Sequence, residues 1–231
     1  MKILIIVPAY NEEASIAGVI QDLQQHAPPA TVLVVNDGSR DATSRIARER
    51  GASVLELPFN IGIGGAVQAG YLYAERNGYD IAIQFDGDGQ HLAAEIDKLI
   101  PPLAGDKADL VIGSRFLLAG GYKAPFFRRL GIGIFSFVLS RILGVLVTDS
   151  TSGFRAANRR VIKFFAGNYP DDYPEVESLV LLHKKNMRMV EVPAAMRERT
   201  GGKSSITPMR SVYYMTKVLI AIFIDLIKRV R

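Results

Sequence analysis

The sequence has no cysteine and no tryptophan, and only three histidines. Without Cys there is no disulfide framework, no thiolate metal site and no thiol nucleophile, so any chemistry must run on carboxylates, hydroxyls, Lys, Arg or those histidines. Long apolar runs are missing too. The longest uncharged apolar stretch, residues 130–140, is 11 residues, whereas a bilayer-spanning helix needs about 20, so no segment is expected to cross a membrane unaided. At the N-terminus one Lys precedes residues 3–7 and then Pro8. That run is too short for a signal-peptide core and no small-residue cleavage site follows it, so it reads as a buried first strand. What remains is a globular, cytosolic type of composition: 231 residues, 48% hydrophobic, inside the roughly 250 residues that one α/β domain can reach.

The net charge of +5 is unevenly spread. From Arg197 to Arg231 there are eight basic and two acidic residues, a net of +6, which leaves −1 for the first 196. A near-neutral body with a basic, amphipathic tail points to a polyanionic partner such as an anionic membrane surface, a phosphorylated substrate or nucleic acid.

Apolar, β-branched runs recur at residues 3–7, 31–36, 53–57, 81–85 and 110–113, with helical segments between them. Near-continuous runs of this kind predict strands buried on both faces of a mostly parallel sheet, with helices on both sides. A further short strand is expected at 189–192. Ile16, Val19, Ile20 and Leu23 fall at helical spacing, residues 62–77 form a glycine-opened helix candidate, and 130–147 an apolar one. In such a sheet ligands sit beyond the carboxyl ends of the strands, and the polar clusters 8–13, 37–39, 60–65 and 86–91 follow the first four runs.

Asp86-Gly87-Asp88-Gly89-Gln90-His91 closes a strand with two carboxylates, each beside glycine, so the backbone can turn sharply enough to aim both at one point. Two hard oxygen donors two residues apart suit Mg²⁺ or Mn²⁺, which complete their shell with substrate phosphates. His91 borders this pair as a secondary ligand at most. Asn60-Ile61-Gly62-Ile63-Gly64-Gly65 opens a helix; either its N–H groups attract phosphate or its glycines allow close helix packing. Residues 197–205 join cations to a Gly pair, the makings of a loop that neutralises a diphosphate. Asp149, Asp171, Asp172, Glu175 and Glu177 are the general-base candidates.

With Pro8-Ala9-Tyr10-Asn11-Glu12-Glu13, Val35-Asn36-Asp37-Gly38-Ser39, the Asp86 to His91 motif and Thr151-Ser152-Gly153-Phe154-Arg155 in this order, the chain resembles family 2 glycosyltransferases of the GT-A fold. Within them it looks most like the polyprenyl-phosphate sugar synthases, the dolichol-phosphate mannose synthase group and its bacterial relatives. The resemblance implies a catalytic domain over 1–207, including an interface helix at about 126–147, and an amphipathic C-terminal helix over 208–231. It implies that Pro8, Tyr10, Glu12 and Asp37 line the nucleotide pocket, with Asp37 bonding the base. Asp86, Asp88 and Gln90 would hold the metal on the donor. Ser114, Arg115, Arg128 and Arg129 match positions that meet the lipid phosphate, and Arg199 and Lys203 match the loop that closes on the donor phosphates. Ile63 departs from the Lys or Arg that many relatives carry there. The chain resembles the compact bacterial forms that work beside a small membrane protein.

The implied reaction moves a sugar, expected to be GlcNAc or glucose from its UDP donor, onto a polyprenyl phosphate, with a divalent ion, Arg199 and Lys203 stabilising the departing diphosphate. The acceptor is already an anion, so Asp149 and Glu177 are expected to position groups rather than take a proton, and direct attack predicts inversion. Phe126 to Val147 and the C-terminal helix read as anchors at the cytoplasmic face of a plasma membrane, with Lys228, Arg229 and Arg231 meeting anionic lipid. The alternative for these helices is packing on the core or on a second subunit. The rival activity is transfer to a hydroxyl acceptor with a carboxylate base. A nucleic-acid or lipid-binding role alone leaves the paired aspartates unexplained.

Overall fold

The computed structural model describes residues 1–117, 126–171 (backbone alone over 126–132) and 174–197, with Lys217 and Ile220. Arg199, Lys203, the side chains of Arg128 and Arg129, Asp172 and all but two residues of the 208–231 helix lie outside the described residues. Within them a seven-stranded sheet runs in the order β3-β2-β1-β4-β6-β5-β7. The strands are β1 (Ile3–Ala9), β2 (Thr31–Asn36), β3 (Ser53–Glu56), β4 (Ile81–Gln84), β5 (Leu110–Ser114), β6 (Arg155–Asn158) and β7 (Met189–Pro193). All neighbours are parallel except that β6 runs antiparallel to both β4 and β5.

Helices α1 (Ile16–His26), α2 (Thr43–Glu49), α3 (Gly62–Arg76), α4 (Ile96–Ala104), α5 (Phe126–Leu143), α6 (Arg159–Gly167) and α7 (Pro174–Lys184) cover the two faces. Alternation along β1 sends Leu4 and Ile6 to a core shared with α3, α6 and α7, while Ile5 and Val7 face a second core with α1 and α4. Both faces are dry, which is why the strands read as unbroken apolar runs. At Gly70 on α3 an added Cβ would lie 2.3 Å from the Ile6 side chain, so only glycine lets this helix seat on β1.

Strand order locates the site. From β1 the chain winds outward through β2 to β3, then returns to lay β4 on the other side of β1. The helices on either side of that reversal diverge and leave a crevice at the carboxyl ends of β1 and β4. The 8–13 and 86–91 motifs emerge there.

Two expectations change. Strand β6, Arg-Ala-Ala-Asn, was not foreseen, because it has no β-branched residue and follows a polar stretch. The apolar segment expected as an interface helix is α5, but its Phe135, Leu139 and Leu143 are core residues. Only the other side of that helix is free for another partner. It ends at Gly144, φ +68°, whose N–H closes on Ser140 O at 3.0 Å, the left-handed glycine stop common at helix ends.

Candidate active site

Pro8, Tyr10, Glu12, Asp37, Asp86 and Asp88 line one cavity of about 290 Å³ at the β1/β4 crevice. A larger depression, about 470 Å³, lies at the opposite ends of the strands around Lys2, Pro29 and Asp80, where no motif converges.

The loops that build the cavity are stitched together. Asn11, at φ +55°, accepts from Arg40 N at 2.9 Å, and Thr43 Oγ1 accepts from Glu12 N at 2.8 Å. Ser15 Oγ reaches both Glu12 Oε2, at 2.7 Å, and Gly87 O, at 2.8 Å, tying the β1 loop to the loop after β4. Asp37 is 3% exposed, and its two oxygens accept from Ile61 N at 2.8 Å and Gly62 N at 3.0 Å. It therefore caps α3, and a base would have to share its remaining lone pairs. Of the glycines at the start of α3, Gly62 supplies a positive φ of +88° with open space around it, and Gly64 and Gly65 serve packing. At Gly64 a Cβ would fall 2.4 Å from Pro170 O.

Asp86 is held from three directions. His91 Nε2 lies 3.0 Å from Asp86 Oδ2, the Gln84 side chain donates a further hydrogen bond, and Tyr169 Oη donates to Gln84 Oε1 at 3.3 Å, leaving the Gln84 amide nitrogen for Asp86. Burial by itself would raise the Asp86 pKa. The charge and hydrogen bond of His91, the Gln84 bond and the Arg115 charge outweigh it and hold the carboxyl below its ordinary value. Asp88 is oriented by its own loop, Oδ1 accepting from Gln90 N at 3.0 Å, with Gly89 at φ +78° making the turn.

The third side of Asp86 explains the Thr151 to Arg155 motif. Antiparallel β6 delivers Gly153 against the end of β4, where a Cβ would sit 3.0 Å from both Asp86 oxygens. The next ring, Phe154, stacks on His91 with centroids 5.0 Å apart. Arg155 is 1% exposed and donates to Ser152 O at 2.7 Å, Glu175 O at 2.7 Å, Ser178 Oγ at 2.8 Å and Ser150 O at 3.2 Å. The motif is the floor beneath the paired aspartates.

The donor set fits a divalent cation. Two carboxylates converge on the cavity, one kept ionised and cradled where only a glycine fits. Among the described residues no group of three or more His, Asp or Glu side chains is arranged to hold a metal by itself, so a cation here would have to take its other ligands from phosphate and water. Gln90, the third expected ligand, shows its backbone at work: its carbonyl accepts from Arg197 N at 2.8 Å. His91 is not a secondary ligand here, since its Nε2 is given to Asp86.

Asp149, a general-base candidate read from the sequence as positioning another group, is bound up with Arg115. It is fully buried, and its carboxylate takes Arg115 Nε and Nη2 at 2.7 Å each, with Arg115 N at 3.1 Å. A carboxylate spent on a bidentate guanidinium pair is a poor base, so Asp149 is an anchor for Arg115. Ser114, also fully buried, bonds Thr148 Oγ1 at 2.6 Å and does not face solvent, contrary to the lipid-phosphate role expected for it. Glu191 on β7 was missed, being one charge in an ordinary strand. It accepts from Thr148 N and Asp149 N at 2.9 Å and so fixes the turn that carries Asp149. Glu175 is in the first turn of α7. Burial raises its pKa, and the Asp86 charge adds to this against the opposing Arg155 charge. Glu177, beside it, is partly buried.

The family model for glycosyl transferase family 2 matches residues 4–165. The chain is a family 2 glycosyltransferase. Similar proteins include the UDP-N-acetylglucosamine–dolichyl-phosphate N-acetylglucosaminyltransferase of Methanococcus voltae, 33% identical over 83% of this chain and 84% of that protein. The undecaprenyl-phosphate mannosyltransferase of Micrococcus luteus is 32% identical over 90% and 88%. The fold is also that of glucosyl-3-phosphoglycerate synthase from Mycobacterium tuberculosis, solved with Mn²⁺, UDP and phosphoglyceric acid. Its TM-score is 0.73, at 21% identity over 99% of this chain and 80% of that one. As a family 2 enzyme the chain has the GT-A sheet, with the paired aspartates at its switch point.

Proposed function

We propose that this glycosyltransferase transfers a hexose from a nucleoside diphosphate donor, UDP-GlcNAc or UDP-glucose, to a polyprenyl phosphate at the cytoplasmic face of the membrane. The observation that carries the proposal is the convergence of Glu12, Asp37, Asp86 and Asp88 on one cavity, with the Arg115 cation close enough to act on Asp86. Both relatives named above carry lipid-phosphate acceptors in their names, and one names a UDP-GlcNAc donor. Bound to Asp86 and Asp88, Mg²⁺ or Mn²⁺ would neutralise charge developing on the leaving diphosphate. The chain's own part is to align the donor along the β1 and β4 loops and to hold the Arg115 guanidinium, locked by Asp149, as a preorganised partner for the acceptor phosphate. A phosphate attacks as an anion. Attack on the face opposite the leaving group inverts the anomeric centre.

One observation favours a hydroxyl acceptor instead: Glu175, with its raised pKa, lies within electrostatic range of Asp86 and is suited to accept a proton. Radiolabel transfer from a panel of UDP- and GDP-sugars to undecaprenyl phosphate separates the two. Lipid-linked product that requires the metal, vanishes in Asp88→Ala and survives in Glu175→Gln within about tenfold supports the phosphate acceptor. No transfer to the lipid phosphate by the wild type, with transfer to a hydroxyl acceptor that falls about 10²-fold or more in Glu175→Gln, the usual worth of a general base, supports the hydroxyl acceptor.

A further inference from the structure

We propose that His91 is a positioning residue for the metal site: its imidazole donates to Asp86 and fixes that carboxylate, so that the Asp86/Asp88 pair meets a metal-bound nucleoside diphosphate already aligned. The proposal rests on the donor site described above.

The ring is 3% exposed. It is stacked on Phe154 and set edge-on to Phe85 at a centroid distance of 5.3 Å. Its backbone is pinned from the far side, because His91 pairs with Met196 in an isolated antiparallel bridge, next to the Arg197 N to Gln90 O bond. In this clamp the one polar contact of the side chain among the described residues is Nε2 to Asp86 Oδ2 at 3.0 Å, while Nδ1 is buried with no hydrogen-bond partner among them. An unpaired buried nitrogen is a cost that a phenyl ring in the same stack would avoid. The packing therefore asks for an aromatic ring, and only Asp86 asks for a nitrogen.

That contact also fixes which nitrogen donates. An ionised carboxylate only accepts, so Nε2 carries a proton. Asp86 then has Oδ2 held by His91 and a second donor in the Gln84 amide. Gly153 leaves its flank open, and more than a third of its side chain faces the cavity. Asp88 takes its orientation from Gln90 N, so loss of the imidazole frees one carboxylate of the pair and leaves the other in place. Donors behind a liganding group commonly set its orientation and basicity.

The test is Mn²⁺ binding to the full chain, followed by the electron paramagnetic resonance of the free ion at saturating UDP, with GDP in a parallel series. His91→Phe keeps the stack and removes the donor. Its Mn²⁺ dissociation constant is expected to rise about 10- to 100-fold, and His91→Gln, which retains an N–H of similar reach, is expected to recover most of that loss. A folded His91→Phe protein that binds Mn²⁺ within about twofold of wild type overturns the proposal and leaves the donor site standing. Wild type that takes up no Mn²⁺ with either nucleotide removes the donor site and the proposal together. Imidazole ¹⁵N shifts of the wild type supply a check that needs no variant: a proton on Nε2 supports the contact, and a ring protonated on Nδ1 alone overturns it.

Discussion

At the scale of single residues, the site depends on what is left out as much as on what is present. Gly153 has no Cβ because Asp86 occupies that space, with both carboxylate oxygens 3.0 Å and the Gln84 amide nitrogen 3.1 Å from where one would lie. Gly153→Ala must displace the carboxylate or the strand end, an overpacking cost of about 1–2 kcal/mol. For a chain of this size that is a fall in melting temperature of about 2–8 °C. The larger effect is expected on function, since the displaced group is a metal ligand: Mn²⁺ affinity in the presence of nucleotide should fall about tenfold or more, following the cost of disturbing a ligand's support. Calorimetry and Mn²⁺ titration of the same sample check it. An alanine variant with unchanged Mn²⁺ affinity would mean that Asp86 tolerates a shift of several tenths of an ångström. The glycine was visible in the sequence as part of a motif, but its neighbour was not, because Asp86 and Gly153 are brought together only by sheet order.

At the scale of elements, the parallel part of the sheet was legible and the antiparallel strand was not. Runs such as Leu-Ile-Ile-Val in β1 and Val-Leu-Val-Val in β2 carry their burial in their composition. Strand β6 is Arg-Ala-Ala-Asn, and nothing local marks it. It is a strand because Leu110, Val111 and Ile112 of β5 and residues 81–84 of β4 pair with it on either side. The same insertion brings Ser150 to Phe154 under the paired aspartates and leads the chain into β7. Glu191 on β7 is thereby placed against the Thr148–Asp149 turn, and a chain of contacts runs from Glu191 through Asp149 to Arg115. Glu191→Gln can keep an oxygen for the Thr148 and Asp149 N–H groups, but it places an amide N–H where Oε2 accepts from the Thr148 hydroxyl and faces Thr148 N, a mismatch worth about 1–3 kcal/mol. If Arg115 meets the acceptor phosphate, KM for the lipid phosphate should rise about tenfold, as about 1.4 kcal/mol would give, with KM for the sugar nucleotide nearly unchanged. Equal changes in both constants would sever Glu191 from the acceptor side.

At the scale of the whole molecule, the question is how the protein meets a lipid acceptor. Among the described residues no helix is long and apolar enough to cross a membrane. Helix α5 has Phe135, Leu139 and Leu143 in the core, yet Phe137 is 68% exposed, and Leu146, in the turn after the helix, is 77% exposed beside exposed Val145. That turn runs within three residues into Asp149, the partner of Arg115, so the apolar surface adjoins the cation proposed for the acceptor phosphate. A lipid phosphate sits at the headgroup level of a bilayer, with its chain in the hydrocarbon. A cation beside a small apolar surface matches that arrangement, and the net +6 of residues 197–231 adds attraction to anionic lipid. Burial of Phe137 and Leu146 is worth about 1.5–3 kcal/mol each, so the double variant Phe137→Ser/Leu146→Ser should weaken vesicle binding about 100-fold or more without altering Mn²⁺ or nucleotide binding, as neither residue touches the cavity. Flotation with vesicles rich in anionic lipid measures it at low and high salt. Wild type is expected to float at low salt and to lose part of its binding at high salt, the remainder being the apolar share. Wild-type protein that stays with the soluble fraction at low salt would break the link between this surface and the acceptor, and Arg115 would then have to meet its phosphate by another approach.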